Sequence, residues 1–283
     1  MARAAVAKKS KGKSASKKKG VKVKVPTRKV SLDRRRGGKV EVLVQTKLAV
    51  APPKPSAPPA RPIKLEGSAL DVSRRFFEQH GLTQLAQALP PAVMIDELIG
   101  RARAEGFNRV LVFPPVRVQR AAADAMVTQL LRAPSAALDA TQQYGMPWIY
   151  DVRELSSGDV RGRPEGAYAL AISDGAFPDD TRDRKSSQLE TRFQALGQCS
   201  LTVYEYMVLQ RLFAEERQDH RFDQCAEAHG FPTGWQWLLD SRSQRGALHA
   251  SWNPLKRRVE IGATPPGNFN AKRGAHPTLI KAL

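Results

Sequence analysis

The residues with the clearest chemical potential are the lysines of KKSKGKSASKKKGVKVKV, residues 8–25. Nine of these eighteen positions are lysine, separated by Gly, Ser, Ala and Val, and none is acidic. Lysine is a flexible, strongly hydrated point charge that can follow phosphates without fixed geometry. Because each neutralised phosphate releases counterions, such a segment binds nucleic acid without sequence preference. The pattern favours this role over that of a solvated tail that only aids solubility.

Arginines extend the basic segment toward the folded part of the chain. RRRGGK, residues 34–39, places three arginines before a glycine pair. Glycine lets a backbone approach a phosphate closely, although the run is equally compatible with a simple continuation of the tail. The predicted nucleic-acid-binding residues are Lys8, Lys9, Lys11, Lys13, Lys17, Lys18, Lys19, Lys22, Lys24, Arg34, Arg35, Arg36, Arg257 and Arg258.

Positive charge is concentrated at the two ends of the sequence. Residues 1–64 contain 20 Lys or Arg against 2 Asp or Glu, a net charge of +18. Residues 65–240 contain 18 against 24, a net of −6, and residues 241–283 contain 8 against 1, a net of +7. Lysine outnumbers arginine only in the first segment, which holds 14 lysines, whereas residues 65–240 hold one lysine. The basic segments are therefore distinct from the mildly acidic middle of the chain.

The overall composition is that of a soluble protein. No apolar run approaches the roughly 18 residues of a membrane helix, and no apolar region of a secretory signal follows the N-terminal charges. The two cysteines do not make a disulfide framework, so a reducing, cytoplasmic location is expected. An acidic membrane surface is the alternative polyanion that such a tail would bind. The tail lacks large apolar anchors for a membrane, which favours nucleic acid as the partner.

Changes in composition divide the chain into three segments. Residues 1–50 form a lysine-rich tail, expected to be disordered in isolation, that ends in a short strand-like stretch at 39–50. Residues 51–62, APPKPSAPPARP, form a Pro/Ala linker expected to be extended. Residues 63–283 are predicted to form an α+β domain of mixed helices with an antiparallel C-terminal sheet.

Several elements of this domain are predicted from periodicity. Thr202 and Glu205 form a capping box that marks the start of a helix over 201–216. The final twenty residues are predicted to be irregular. The predicted helices are 69–80, 91–104, 119–133 and 201–216, and the predicted strands are 109–113, 147–152, 168–174, 235–239, 247–252 and 257–263.

A second basic region combines arginine and lysine with tryptophan near the C-terminus. Bases can stack on aromatic rings beside a basic groove, but tryptophans in strands usually point into the core while arginines reach outward. The core role is favoured for the tryptophans, and the arginines of the hairpin turn remain candidates for phosphate contacts. The residues are Trp235, Trp237, Trp252, Arg242, Arg245, Lys256, Arg257, Arg258, Lys272 and Arg273.

Signatures of metal binding or catalysis are weak. Cys225 and His229, four apart, could bind zinc with Cys199 and His220, but no Cys-x-x-Cys pair supports such a site. The charged loop at 179–185, with Asp179, Asp180 and Asp183, is predicted to be an ordinary surface loop. No phosphate-binding loop, nucleophile elbow or zinc-protease motif is present. We therefore predict no catalytic residues, no metal and no cofactor.

The order of elements in the C-terminal half resembles a family of uncharacterised, mostly actinobacterial proteins that share a domain of unknown function. The resemblance covers roughly 145–265 and includes YALAISD, LTVYEYMVLQ, FDQCAEAHG, WQWLL and LHASWNPLKRRVEIGAT. Leu201, Thr202 and Glu205 match the helix start of the family, Cys225 its cysteine, and 252–254 its closing hairpin. The glycine- and tryptophan-rich closing stretch is only partly present, and the lysine tail has no counterpart. The resemblance implies a fold unit, and because the family has no known activity it says nothing about chemistry.

Taken together, the sequence predicts a non-enzymatic protein that binds the phosphate backbone of DNA or RNA through its N-terminal tail. One alternative is a structural or assembly protein of a large nucleoprotein complex or virion, whose tail orders on contact with a protein or nucleic-acid partner. Another is an enzyme of unknown type acting on an anionic substrate.

Overall fold

The fold is known from a computed structural model that describes residues 68–140, 143–149, 155, 159–223, 234–265 and 273–283. The strand pairs at 30–31 and 41–42 are described as well. The chain divides into two compact units, Met1–Ser56 and Ala57–Leu283. In the first unit, β1 (Val30–Ser31) pairs antiparallel with β2 (Glu41–Val42). The remainder of the basic tail and the predicted linker lie outside the described residues.

A three-stranded antiparallel sheet forms one side of the second unit. Its central strand, β6 (Tyr168–Ile172), pairs with β3 (Arg109–Phe113) and with β11 (Leu279–Ala282). Both β3 and β6 are buried along their whole length, and apart from Arg109 their side chains form the continuous hydrophobic runs expected of buried strands. The outer edge of β3 is covered by α1 (Ala69–Gln79), where the Ser73 hydroxyl accepts a hydrogen bond from the Val112 amide at 2.8 Å.

A six-stranded mixed sheet forms the other side. Its centre is the antiparallel meander of β7 (Trp235–Ser243), β8 (Gly246–Asn253) and β9 (Arg258–Thr264). The short strand β4 (Trp148–Ile149) runs parallel to β9. At the other edge β10 (Arg273–Gly274) runs parallel to β7, and β5 (Asp159–Val160) pairs antiparallel with the far end of β7. The domain is therefore α+β, with an antiparallel C-terminal meander as predicted.

The helix α7 (Val203–Arg217) lies in the core of this unit. All residues from Val203 to Ala214 are buried, so this helix has no polar face turned to solvent, as expected for a central helix. The Thr202 hydroxyl accepts from the Glu205 amide at 3.2 Å, and the Glu205 carboxylate accepts from the Thr202 amide at 2.8 Å. The predicted capping box is thereby confirmed.

The remaining helices surround the core. They are α2 (Thr83–Gln87), α3 (Asp96–Ala104), α4 (Val116–Ala121), α5 (Ala123–Met126), which continues as a π-helical turn over Val127–Arg132, and α6 (Ser186–Ala195). Apolar residues of the helices and of both sheets join in one large hydrophobic cluster. A smaller second cluster lies between α6 and the sheet, where Leu189 and Phe193 pack with Trp237, Leu239 and Ala247.

One prediction made from the sequence was wrong, and one of the longer helices was not predicted. The final twenty residues are not irregular throughout, because β10 and β11 lie there. Their pairing with β7 and β6 connects segments far apart in the sequence, which local periodicity cannot reveal. The helix α6 was not predicted, although Leu189, Phe193 and Leu196 follow helical spacing.

Candidate functional site

Most of the predicted nucleic-acid-binding residues lie outside the part of the chain that the structure describes. This applies to the lysines of 8–24 and to the arginines of 34–36. Arg257 and Arg258 are described, in and after the turn that joins β8 to β9. Their placement can therefore be compared with the prediction, whereas that of the tail cannot.

Both of these arginines have partners within the fold. Arg257 has a positive φ of 47° and donates hydrogen bonds to the carbonyl oxygens of Ala140 and Gln143. Arg258 donates from Nε and Nη2 to Glu260, at 3.0 and 2.9 Å. These hydrogen bonds therefore hold the turn in place. Only the guanidinium N–H groups that the bonds leave unused are free to contact phosphate.

The tryptophans of the C-terminal region have different environments. Trp252 is buried on the core side of β8, with its ring stacked on that of His220 at 3.5 Å between centroids. Trp237 is fully buried under α6. The predicted core role is thus confirmed for these two residues. Trp235 is half-buried, and its ring meets that of His249 edge to face at 4.7 Å.

Trp235, Trp237, His249 and Arg273 form one aromatic and cationic group on the α6 side of the sheet, called here the tryptophan–arginine cluster. Trp237 lies opposite His249 in the β7–β8 register, and Arg273 lies opposite Trp235 in the β10–β7 register. The guanidinium carbon of Arg273 is 4.6 Å from the centroid of the Trp237 ring. Burial and the nearby charge of Arg273 lower the pKa of His249 to about 3, so this imidazole is neutral at pH 7.

A buried ion-pair network fixes the start of α7. Arg163 donates from Nε and Nη2 to the two oxygens of Glu205, at 2.6 and 2.7 Å, and from Nη1 to Asp240 at 2.9 Å. The Tyr168 hydroxyl donates to Glu205 at 2.6 Å. Burial opposes the charge of Arg163, but the Glu205 carboxylate outweighs it and holds the pKa of Arg163 well above its usual value. The sequence identified Glu205 only as a capping residue, because nothing in it pairs Glu205 with Arg163.

A second buried polar group lies farther along α7. Asp223 accepts hydrogen bonds from the Tyr206 hydroxyl at 3.1 Å and from the Gln210 amide at 3.2 Å. Gln210 also contacts Nδ1 of His220 at 2.9 Å. Burial raises the pKa of Asp223 to about 7, so this carboxyl group is largely protonated in mildly acidic solution.

We expect the replacement Asp223→Asn to remove a pH-dependent loss of stability. In the unfolded chain Asp titrates near pH 4, roughly 3 units lower, so the folded state holds the extra proton between pH 4 and 7. Wild-type stability should therefore fall as the pH rises through this range. The variant should be more stable than wild type at pH 8, by about 2–4 kcal/mol, and the difference should shrink by pH 5. Urea unfolding at the two pH values measures this, and a pH-independent difference would contradict it.

The structure offers no support for the other constellations. Cys225 and His229 lie outside the described residues, and the residues that are described contain no group of three or more potential metal ligands. Burial raises the pKa of the Cys199 thiol, which disfavours its nucleophilic form. The exposed carboxylates of Asp179 and Asp180 form ion pairs with Arg182 and Arg192. The depression beside Arg163, about 480 Å³ in volume, is lined by 116–117, Val160 and 163–166 and holds no catalytic arrangement among the described side chains.

Comparisons with protein-family models, with curated proteins and with solved structures return no match. The resemblance to an actinobacterial domain therefore stays a prediction. Across the described part of the chain, no helix combines the length and the apolar character needed to cross a membrane.

Proposed function

We propose that this protein binds DNA or RNA through its lysine-rich N-terminal segment, by contacts with the phosphate backbone that do not depend on sequence. The observation that carries the proposal is the segregation of charge, with a net +18 in residues 1–64 against −6 in residues 65–240. Such an imbalance within one chain places a strong positive potential on one segment, which attracts polyanions.

The ion pairs of the folded unit support the same assignment. Buried and half-buried arginines there are largely neutralised by acidic side chains, as in Arg163 with Glu205, Arg211 with Glu215 and Arg217 with Asp174. Paired cations contribute little to an external field. The excess positive charge is therefore concentrated in the tail rather than spread over the domain.

The test is a binding experiment with the full chain and fluorescently labelled oligonucleotides. Single-stranded DNA, duplex DNA and RNA, each in two unrelated sequences, are titrated at low salt and followed by anisotropy. We expect similar affinities for the two sequences of each type, since phosphate contacts carry no sequence information. A preference of more than about tenfold for one sequence would contradict the proposal, because it requires contacts with base edges.

A further inference from the structure

Arg273 is an exception among the arginines of the folded unit. Other arginines with low exposure have a carboxylate at ion-pair distance, including Arg109, Arg163, Arg182, Arg211 and Arg242. Within the described ranges, Arg273 has none. Its Nε and Nη1 atoms are buried and form no hydrogen bond. A guanidinium group buried in part without a counterion is costly, so the fold gains from an anion supplied from outside.

Two more donors without partners belong to the tryptophan–arginine cluster. Nε1 of Trp237 forms no hydrogen bond, although this side chain is fully buried. Nδ1 of His249 also lacks a partner, while Nε2 contacts the Thr264 hydroxyl at 2.7 Å. When Nε2 accepts the proton of that hydroxyl group, Nδ1 carries the ring hydrogen and is a donor. Arg273 and Trp237 thus present unused N–H groups and one positive charge, and His249 adds a third N–H in this tautomer.

We infer that the tryptophan–arginine cluster is a binding site for a phosphate group. The guanidinium of Arg273 and the indole of Trp237 can only donate, so their ligand must be an acceptor, and the charge of Arg273 selects an anion. A guanidinium fork matches two phosphate oxygens, and a tetrahedral phosphate offers a further oxygen to the indole or imidazole N–H. A carboxylate also matches the fork, but it is planar and has no third oxygen to offer the indole or imidazole N–H. The half-buried ring of Trp235 lies beside His249 and is the most exposed aromatic surface of the cluster.

This site is independent of the lysine tail and goes beyond the proposed function. It would take inorganic phosphate or the phosphate of a nucleotide, whether free or at the end of a strand. Phosphate bound at this site raises the stability of the folded unit, whereas loose binding of phosphate to the tail does not stabilise the fold. Failure of the site and failure of tail binding are therefore distinguishable.

The experiment measures the melting temperature of the full chain with increasing inorganic phosphate, adenosine 5′-monophosphate or adenosine. We expect the first two ligands to raise the melting temperature, since a ligand that binds only the folded state stabilises it. Adenosine, which lacks the phosphate, should have no effect. If adenosine monophosphate acts at lower concentration than inorganic phosphate, the ligand is a nucleotide, and equal potency indicates a site for phosphate alone.

The variant Arg273→Met identifies the residue responsible. In phosphate-free buffer its melting temperature should equal or exceed that of wild type, because an uncompensated charge is removed, and the rise with phosphate should disappear. Arg103→Met, which removes an exposed arginine of α3, is the matched control and should respond like wild type.

Arg273→Lys tests the geometry if the methionine variant folds poorly. It keeps the charge but loses the fork, so at least tenfold more phosphate should be needed for the same rise. An unchanged response of either Arg273 variant, or no response of wild type to phosphate, would overturn the inference.

Discussion

Replacing Arg163 with methionine should destabilise the folded unit by about 3–5 kcal/mol, the largest effect on stability that we expect from any single substitution. The side chains of Arg163 and Glu205 are 1% and 0% exposed. Removing the guanidinium leaves the Glu205 carboxylate buried without its counterion, and its charge must then be accommodated in a medium of low dielectric constant. Chemical denaturation followed by circular dichroism at pH 7 measures this loss.

Two further variants separate a lost counterion from lost packing. The double variant with Arg163→Met and Glu205→Gln removes the stranded charge, so it should recover part of the stability. The control Arg221→Met breaks an exposed pair with Asp219 and should cost less than about 1 kcal/mol. If the double variant were no more stable than Arg163→Met, the uncompensated charge would not be the cause.

Replacing the nine lysines of residues 8–25 with glutamine should weaken binding to nucleic acid on the order of 10³-fold at low salt. The loss should be the same for unrelated sequences, since the lost contacts are with phosphates. Anisotropy titrations of the full chain with two unrelated single strands measure it.

The control for charge replaces the same nine lysines with arginine. It preserves every positive charge while changing the shape of the cationic group, so binding without fixed geometry should be largely retained. A loss in this variant as large as in the glutamine variant would show that specific lysine contacts, and not the charge of the tail, carry the binding.

Local signals in the sequence predicted a large part of the fold. The strand at 109–113 and the meander that contains Trp237 and Trp252 follow from apolar periodicity, and the start of α7 follows from the capping box of Thr202 and Glu205. These features depend on neighbours within a few positions. By contrast, β11 depends on its pairing with β6, more than a hundred residues earlier, and its four residues carry no comparable local signal.

The candidate sites were less accessible to sequence reasoning, for the same reason. Arg273 appeared only as one of several basic residues near tryptophan, because its lack of a counterion is a property of the packed structure. The ion pair of Arg163 with Glu205 joins residues 42 positions apart, and neither residue type signals the other. The lysine tail is the opposite case, since the prediction for it rests on charge density alone and uses no feature of the fold.

The dependence of affinity on salt tests the central claim most directly. The dissociation constant of the full chain for a single-stranded oligonucleotide is measured across a salt series, in parallel with the lysine-to-glutamine variant. Binding by the tail predicts a steep linear fall of log affinity with log salt concentration for wild type, with a slope of about −0.7 for each phosphate neutralised on a single strand, and a much shallower slope for the variant. Equal slopes for the two proteins, or no binding by wild type at low salt, would contradict the account and direct the search toward a protein partner of the tail.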